Sequence, residues 1–388
     1  MAENVILAGA TSVPGHNQIL EAFSSMGMRA TFIEAPFVKK YTTLPAGTPV
    51  TYTDTAPAGC LVIPLSEYWI SQCMKERPKN ISDRALKASR SKKFLYELLS
   101  NHGVATPKIF DSLAEARNFI STDEANKAIV KPEGLFSGYA VKVVDRNNVD
   151  KLDEYFVKAK DVHNNAIKLF EIQSKGALVT QVVSGTEYSA DLFFCRGRLS
   201  LVRLSKKVVV EIHGTPCTVI CQLVPCSDDF LKQMDKWCRV LFDEDDVSFA
   251  QFDFIERSSG GADGAGCLVP IDFACRVGGG MAELFGECET NVYADAVVGK
   301  QYQVRSSNGY LTQLNLLPTK SGIIERDDYD LAEGKQFIYK HKGDFVPECP
   351  SSVASRIAVV IKKAPLATVV DAEKLLIGDE RIKFWKKK

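Results

Sequence analysis

Two apolar runs, AQFDFIE and LVPIDFACR, constrain this chain more than any other feature, because each carries an aspartate, Asp253 and Asp272, inside a strand-like segment. An unpartnered carboxylate is costly there, so each needs a partner. Phe249 to Glu256 and Cys267 to Ala274 read as a β-hairpin joined by the glycine-rich link SSGGADGAG. Two carboxylates on adjacent strands can face the same side and share hard divalent cations. Arg276 follows Asp272 by four residues. Its planar charge suits a transferring phosphoryl group or a tetrahedral intermediate, and Gly278 to Gly280 leave room for substrate near the backbone. A buried ion pair between Arg276 and an aspartate is the alternative, and the hairpin alone does not choose.

A protein that holds a triphosphate needs cations on the phosphates, a pliable loop over them and carboxylates for the bridging metal. Lys131 ends the apolar strand Ala128 to Val130 and leads into Glu133-Gly134-Leu135-Phe136-Ser137-Gly138, whose small residues let backbone N–H groups approach phosphate oxygens. A strand ending in Lys-Pro and a Gly/Ser turn is also common in proteins that bind nothing, so this segment gains meaning only from its neighbours.

The chain opens as a β-turn-α unit: a strand from Val5 to Ala8, a turn from Gly9 to Gly15, and a helix with Ile19, Leu20 and Phe23 on one face. Cys60 to Ile63 adds a strand to the same sheet. GATSVPG lacks the GxGxxG spacing and is assigned to strand–helix packing rather than to a nucleotide. Asp83 to His102 reads as one helix ended by Gly103 and Pro107, and Ser112 with Glu115 forms a capping box for the next. ALVTQVVSGTEYSADLFF and GRLSLVRLSKKVVVEI read as successive strands; Ser227 to Phe242 and Met281 to Val298 read as helical, and Ile357 to Ile361 as a strand. Arg203, Lys206 and His213 lie on these strands, where each is either a surface residue or within reach of substrate. The terminal FWKKK reads as a solvated tail.

With 388 residues, the chain has room for two or three packed units. Forty-eight basic residues balance forty-eight acidic ones, so no net field recruits nucleic acid or an anionic membrane. No apolar run approaches the roughly 20 residues of a membrane span, and MAENVILAGATSVPG lacks the layout of a signal peptide, so a cytoplasmic setting is expected. The eleven cysteines are scattered, and Cys217, Cys221 and Cys226 lack a second Cys or His pair at zinc spacing.

Taken in order from about Asp83 to Val298, these segments resemble the ATP-grasp superfamily. Ser91-Lys92, with Gly103-Val104 beyond, looks like the family's first phosphate-contacting lysine; Lys93 is the neighbour that could be taken for it. Lys131-Pro132 and the loop through Glu133, Gly134, Ser137 and Gly138 look like the second lysine and the lid over the triphosphate. TQVVSGTEYSAD is similar to the segment joining the two halves of the grasp: the resemblance gives Val182 and Val183 backbone contacts to adenine and Glu187 the ribose hydroxyls. Thr180 stands where many members have glutamate. Asp253 and Asp272 match the two magnesium carboxylates, Arg276 the arginine ending the acidic strand, and Ala274 occupies the position of a metal-binding asparagine. That replacement, with the AxRxGGG ending, is similar to bacterial L-amino-acid ligases of the bacilysin-synthetase kind.

The resemblance implies an α/β chain with an α+β core: an N-terminal Rossmann-like domain over 1–85, a small ATP-grasp subdomain over 86–183, and a large subdomain with a closing lobe over 184–388. It implies ATP with magnesium, manganese being able to replace it, and small-molecule substrates, a carboxylic acid and an amine such as amino acids. Nucleic acid and membrane are not expected as partners, and a homodimer is compatible. The reaction implied is amide formation through an acyl phosphate; an ATP-grasp kinase or carboxylase, or a nucleotide-binding regulator without turnover, are the other readings.

Overall fold

The computed structural model describes residues 3–40, 44, 46–135, 138, 140–170, 176–257, 267–301, 310–329, 334–347, 355–363, 375–377 and 382–383. Ser137, the link 258–266 and the tail 384–388 lie outside the described residues. The N-terminal unit holds β1 (Glu3–Ala8), α1 (His16–Ser25), β2 (Met28–Glu34), β3 (Val50–Tyr52), β4 (Leu61–Pro64) and α2 (Glu67–Glu76). Its sheet is parallel, in the order β3-β2-β1-β4. The turn after β1 is committed to structure: Thr11 donates from its N–H and hydroxyl to Glu34, while Gly9 donates to the Ile33 carbonyl.

The segment 83–102, expected as one helix, is two: α3 (Asp83–Ala88) and α4 (Lys92–Asn101). Ser91 breaks it, its hydroxyl accepting from Phe94 N–H as the N-cap of α4, and Arg90 at the corner turns inward to 2 % exposure. Then follow α5 (Leu113–Thr122), β5 (Ala128–Pro132), β6 (Lys142–Val144), α6 (Leu152–Phe170) and β7 (Ala177–Gln181), with the three strands ordered β6-β5-β7. Ser112 caps α5 as expected, and Glu115 reaches back to the Asp111 N–H rather than to that of Ser112 itself.

The second half holds β8 (Thr186–Cys195), β9 (Arg198–Ile212), β10 (Thr215–Leu223), α7 (Asp228–Leu241), β11 (Val247–Arg257) and β12 (Cys267–Ala274). Two short helices, α8 (Ala282–Phe285) and α9 (Val292–Val297), replace the single helix expected over 281–298. Asn291 is the cause: its side-chain oxygen caps α9, and its amide donates to the carbonyls of Pro14 and Gly15 in the N-terminal unit. The chain continues through β13 (Leu311–Pro318), β14 (Gly322–Ile324), β15 (Lys335–Ile338), β16 (Phe345–Val346), β17 (Ala358–Lys363), β18 (Leu376–Ile377) and β19 (Ile382–Lys383).

The large sheet runs β12-β11-β8-β9-β10-β13-β17-β15, with β18 beside β13, and a small sheet runs β16-β14-β19. One face of the large sheet is apolar. Met234, Trp237, Cys238 and Leu241 of α7 recur at helical spacing and pack with Ala190, Phe194, Phe252 and Phe254. The Leu, Met and Phe side chains among these each contribute roughly 1.5–3 kcal/mol by leaving water. The opposite face is where charge collects.

Candidate active site

Residues directly opposite each other on paired strands share a sheet face. Asp253 stands opposite Asp272 on one side and Ser189 on the other; Gln251 stands opposite Asp191, which stands opposite Arg203. Alternation adds Ser205 and Lys207 of β9, and Cys221 of β10 faces Lys207. The hairpin at the sheet edge thereby opens onto a polar face four strands wide.

Lys131 of β5 reaches this face from the three-stranded sheet. It is only 7 % exposed, and its ammonium donates to the Tyr96 hydroxyl at 2.8 Å, which donates to the Ile271 carbonyl at 2.6 Å. Burial, and then the charge of Lys92, push its pKa down to about 7 against a smaller upward pull from Asp272. Lys92, at the first position of α4, donates to the Leu135 carbonyl at 2.7 Å and pairs with Asp272 at 3.1 Å. Lys93 points away, half-exposed, toward Glu97. Glu133 accepts from the Ser91 hydroxyl, tying the loop after Lys131 to the start of α4. Gly134 follows it directly, and Gly138 has φ 65, a left-handed conformation that suits glycine.

On the sheet side, Lys207 sits between Glu187 at 2.8 Å and Asp253 at 3.0 Å. Burial works to depress this lysine, but the two carboxylates outweigh it and hold its pKa well above the usual range. Asp253 moves down: burial would raise it, and Lys207 together with the Ser189 and Arg203 contacts more than offsets that. Beside them Val183, Ile255 and Val269 are buried against the partly buried Ile271, a small apolar patch. The Val182 N–H is committed to the Lys127 carbonyl. Thr180 is fully buried, and its hydroxyl has no hydrogen-bond partner among the described residues.

Asp253 and Asp272 opposite each other would repel, and each is held by its own lysine instead. Among the described residues no three His, Cys, Asp or Glu side chains gather at metal-binding distance. Two carboxylates fit magnesium nonetheless, since it binds through one or two and takes its remaining ligands from phosphate and water.

Arg276 donates from Nε to Glu67 at 2.8 Å and pairs through Nη2 at 2.6 Å, and it also meets the Gln251 side chain and the Val277 carbonyl. Its ion-pair partner is therefore a glutamate of the N-terminal unit rather than an aspartate of the hairpin. Glu67 is gripped from the other side by Arg90. Burial would raise the Glu67 carboxyl, but the two guanidinium groups win and hold it below its usual value. Gly278 corrects the expectation of room for substrate: a Cβ there would lie 2.4 Å from Arg203 Nη2 and 2.8 Å from an Asp191 oxygen. Its N–H donates to Asp191 at 3.0 Å, so this glycine packs the turn onto the buried Asp191–Arg203 pair. Gly279 does have open space around its Cβ direction. His213 sits on the exposed turn between β9 and β10 and contacts the Thr319 carbonyl.

Sequence reasoning missed Glu67, Tyr96 and Lys207. Lys207 had a signal: Arg203 and Lys206 differ by an odd number and cannot share a strand face, whereas Arg203 and Lys207 can. Tyr96 lies four residues after Lys92, one helical turn on. Glu67 carried no signal, because only tertiary packing brings it to Arg276.

No protein-family model matches the sequence, and no curated protein matches it. Solved structures do. The L-amino acid ligase from Bacillus licheniformis superposes with a TM-score of 0.57 at 14% identity, covering 93% of both chains. The biotin carboxylase domain of the Hydrogenobacter thermophilus 2-oxoglutarate carboxylase, in complex with MgADP, ADP and bicarbonate, gives 0.53 at 14% identity over 94% of this chain and 87% of that one. N5-carboxyaminoimidazole synthase from Aspergillus clavatus, in complex with ADP, gives 0.54 at 11% identity over 94% of both. At these identities the likeness is one of architecture, and it spans nearly the whole chain: this protein has the ATP-grasp fold.

Proposed function

We propose that this chain is an ATP-dependent carboxylate–amine ligase, activating a carboxylic acid as an acyl phosphate and joining it to an amine, with amino acids as the substrate class. The observation that carries the reading is the meeting of Lys92, Lys131 and Asp272 at the edge of the sheet face that also presents Asp253. Lys92 and Lys131 hold the phosphates, with the loop from Glu133 through Gly134 to Gly138 over them. The patch around Val183 takes the base, and Glu187 the ribose. Magnesium, held by Asp253 and Asp272, supplies charge neutralisation on the phosphates when bound. Arg276 stabilises the oxyanion formed when the amine attacks. Residues 1–85 form the N-terminal α/β domain, 86–183 the small ATP-grasp subdomain and 184–388 the large subdomain with its closing lobe, and a cytosolic setting, where ATP is available, goes with this chemistry.

The likeness in fold to an L-amino acid ligase supports the amino-acid class, and the likeness to a biotin carboxylase domain makes bicarbonate the necessary control. The test is phosphate release with magnesium and ATP from amino acids offered singly and in pairs. A carboxylic acid alone should release ADP slowly and yield a hydroxamate with hydroxylamine; the correct amine should raise phosphate release well above that background. A phosphorylated alcohol as product, or turnover on bicarbonate without an amine, would replace the ligase reading with a kinase or a carboxylase.

A further inference from the structure

The polar sheet face does not end at Lys207. Cys221 stands between Lys207 on one neighbouring strand and Gln313 of β13 on the other, which puts Gln313 on the same face. Gln313 is fully buried: its amide donates to the Gly280 carbonyl at 3.0 Å and to Asn315 at 2.9 Å, while Oε1 has no hydrogen-bond partner among the described residues. Arg356 Nη1 donates to the same Gly280 carbonyl at 3.0 Å. Gly280 lies four residues past Arg276, so this cluster holds the end of the turn that follows the arginine of the proposed reaction centre.

Tyr339 joins the cluster from the end of β15. Its hydroxyl donates to Glu283 Oε1, and burial together with Glu283 pushes the phenol pKa up against a smaller downward pull from the nearby Arg356 charge. The other Glu283 oxygen is buried without a hydrogen-bond partner among the described residues, and so is the hydroxyl of Ser355, beside Arg356 in the chain. A carboxylate and a guanidinium thus flank one phenol, and neither forms an ion pair among the described residues. Each buried polar atom left unpaired carries a desolvation cost that nothing offsets. A ligand with a cation and an anion one or two bonds from a common carbon relieves these costs together.

We propose that Glu283, Gln313, Tyr339 and Arg356 form the subsite for the head group of a free α-amino acid, the amine-bearing substrate of the ligase reading on which this inference rests. Arg356 takes the α-carboxylate; Glu283 Oε2 and Gln313 Oε1 accept from the ammonium. The chemistry selects free amino acids over their carboxamides, which lack the anion, and over N-acetyl derivatives, which lack the cation.

The test is calorimetry and ligand-induced thermal shift on the full chain, with and without magnesium and ATP. The probes are the common free L-amino acids, their carboxamides and their N-acetyl derivatives. At least one free amino acid should bind, with its carboxamide and N-acetyl form weaker by roughly tenfold or more. Arg356→Gln should lose the preference for acid over carboxamide, Glu283→Gln the preference for free over N-acetylated amine, and Tyr339→Phe, at a half-exposed site, should weaken binding of the free amino acid. Magnesium ATP should bind all three variants like wild type. Equal binding of acid and carboxamide by wild type, unchanged selectivity in the variants, or no response to any free amino acid would overturn the subsite. Phosphate release is measured separately, so failure of the ligase reading shows as turnover that does not depend on an amine, or as no turnover, even if a free amino acid binds.

Discussion

Lys131 and Lys207 are both buried lysines, yet the structure drives them in opposite directions. Lys131 faces a second cation, Lys92, and shares Asp272 with it; its pKa falls to about 7. Lys207 has two carboxylates to itself, Glu187 and Asp253, and is held firmly charged. Burial is common to both, so the neighbours decide. The lesson is functional: Lys207 has its counter-charges within the protein and maintains the sheet face, whereas Lys131 is short of negative charge. A polyphosphate would supply what Lys131 lacks.

Removing each lysine in turn should separate the two roles. Lys207→Met should leave Glu187 and Asp253 as buried carboxylates without their cation, and denaturant unfolding should show a loss of about 3 kcal/mol. Added magnesium should restore part of it by taking the vacated charge. Lys131→Met replaces a poorly compensated buried cation by an apolar chain of similar length, so the apo protein should unfold at the same or higher denaturant. Its affinity for magnesium ATP should nevertheless fall by about 2 kcal/mol, roughly thirtyfold, by calorimetry. If the Lys131 variant proved the less stable of the two, the contrast between structural and ligand-binding lysine would be wrong.

The same contrast sets a pH dependence. Below about pH 7 Lys131 is charged in folded and unfolded chains alike, and the folded state bears the full cost of burying that charge. Between about 7 and the ordinary value of 10.5 the unfolded chain keeps a proton that the folded chain has lost, so stability should rise with pH across this window. Nucleotide binding should run the other way. Phosphates favour the ammonium, so binding should take up a proton and weaken above about pH 7, by at most about 1.4 kcal/mol per pH unit. Calorimetry in buffers of different ionisation enthalpy measures that uptake, which Lys131→Met should abolish. Lys207 remains charged throughout the window and contributes nothing to it.

Much of this was legible because charge inside apolar runs is conspicuous. Asp253, Asp272 and Lys131 stand out of their strands, and the order of segments carried the architecture. What the sequence could not supply were contacts made by folding. Glu67 comes to Arg276 from an N-terminal helix 209 residues away, and Arg90 reaches Glu67 only because Ser91 breaks the expected helix. Gly278 reads as open space in a triple-glycine turn and is instead where the backbone meets Asp191 and Arg203. That Lys207, and not Lys206, shares a face with Arg203 was decidable from strand alternation. Ser137 lies outside the described residues and adds nothing to either side.

The finest test concerns Tyr96, the tyrosine against Lys131. Tyr96 has its ring 5.1 Å from the Lys131 ammonium, and its hydroxyl both accepts from that ammonium and donates to the Ile271 carbonyl. Tyr96→Phe keeps the ring and the packing of α4 and removes only the hydroxyl. The ammonium loses an acceptor, so its charged form should be disfavoured further, by about 1 kcal/mol. The onset of proton uptake on nucleotide binding should therefore move to lower pH, and affinity at a fixed pH above 7 should fall modestly. Lys207 is on the far side of Asp253 from this hydroxyl's contacts, so the effect of Lys207→Met on stability should be unchanged in the Tyr96→Phe background, adding to it rather than interacting. An onset displaced to higher pH would mean that the hydroxyl does not stabilise the charged lysine, and that the low pKa of Lys131 has a cause other than its shortage of partners.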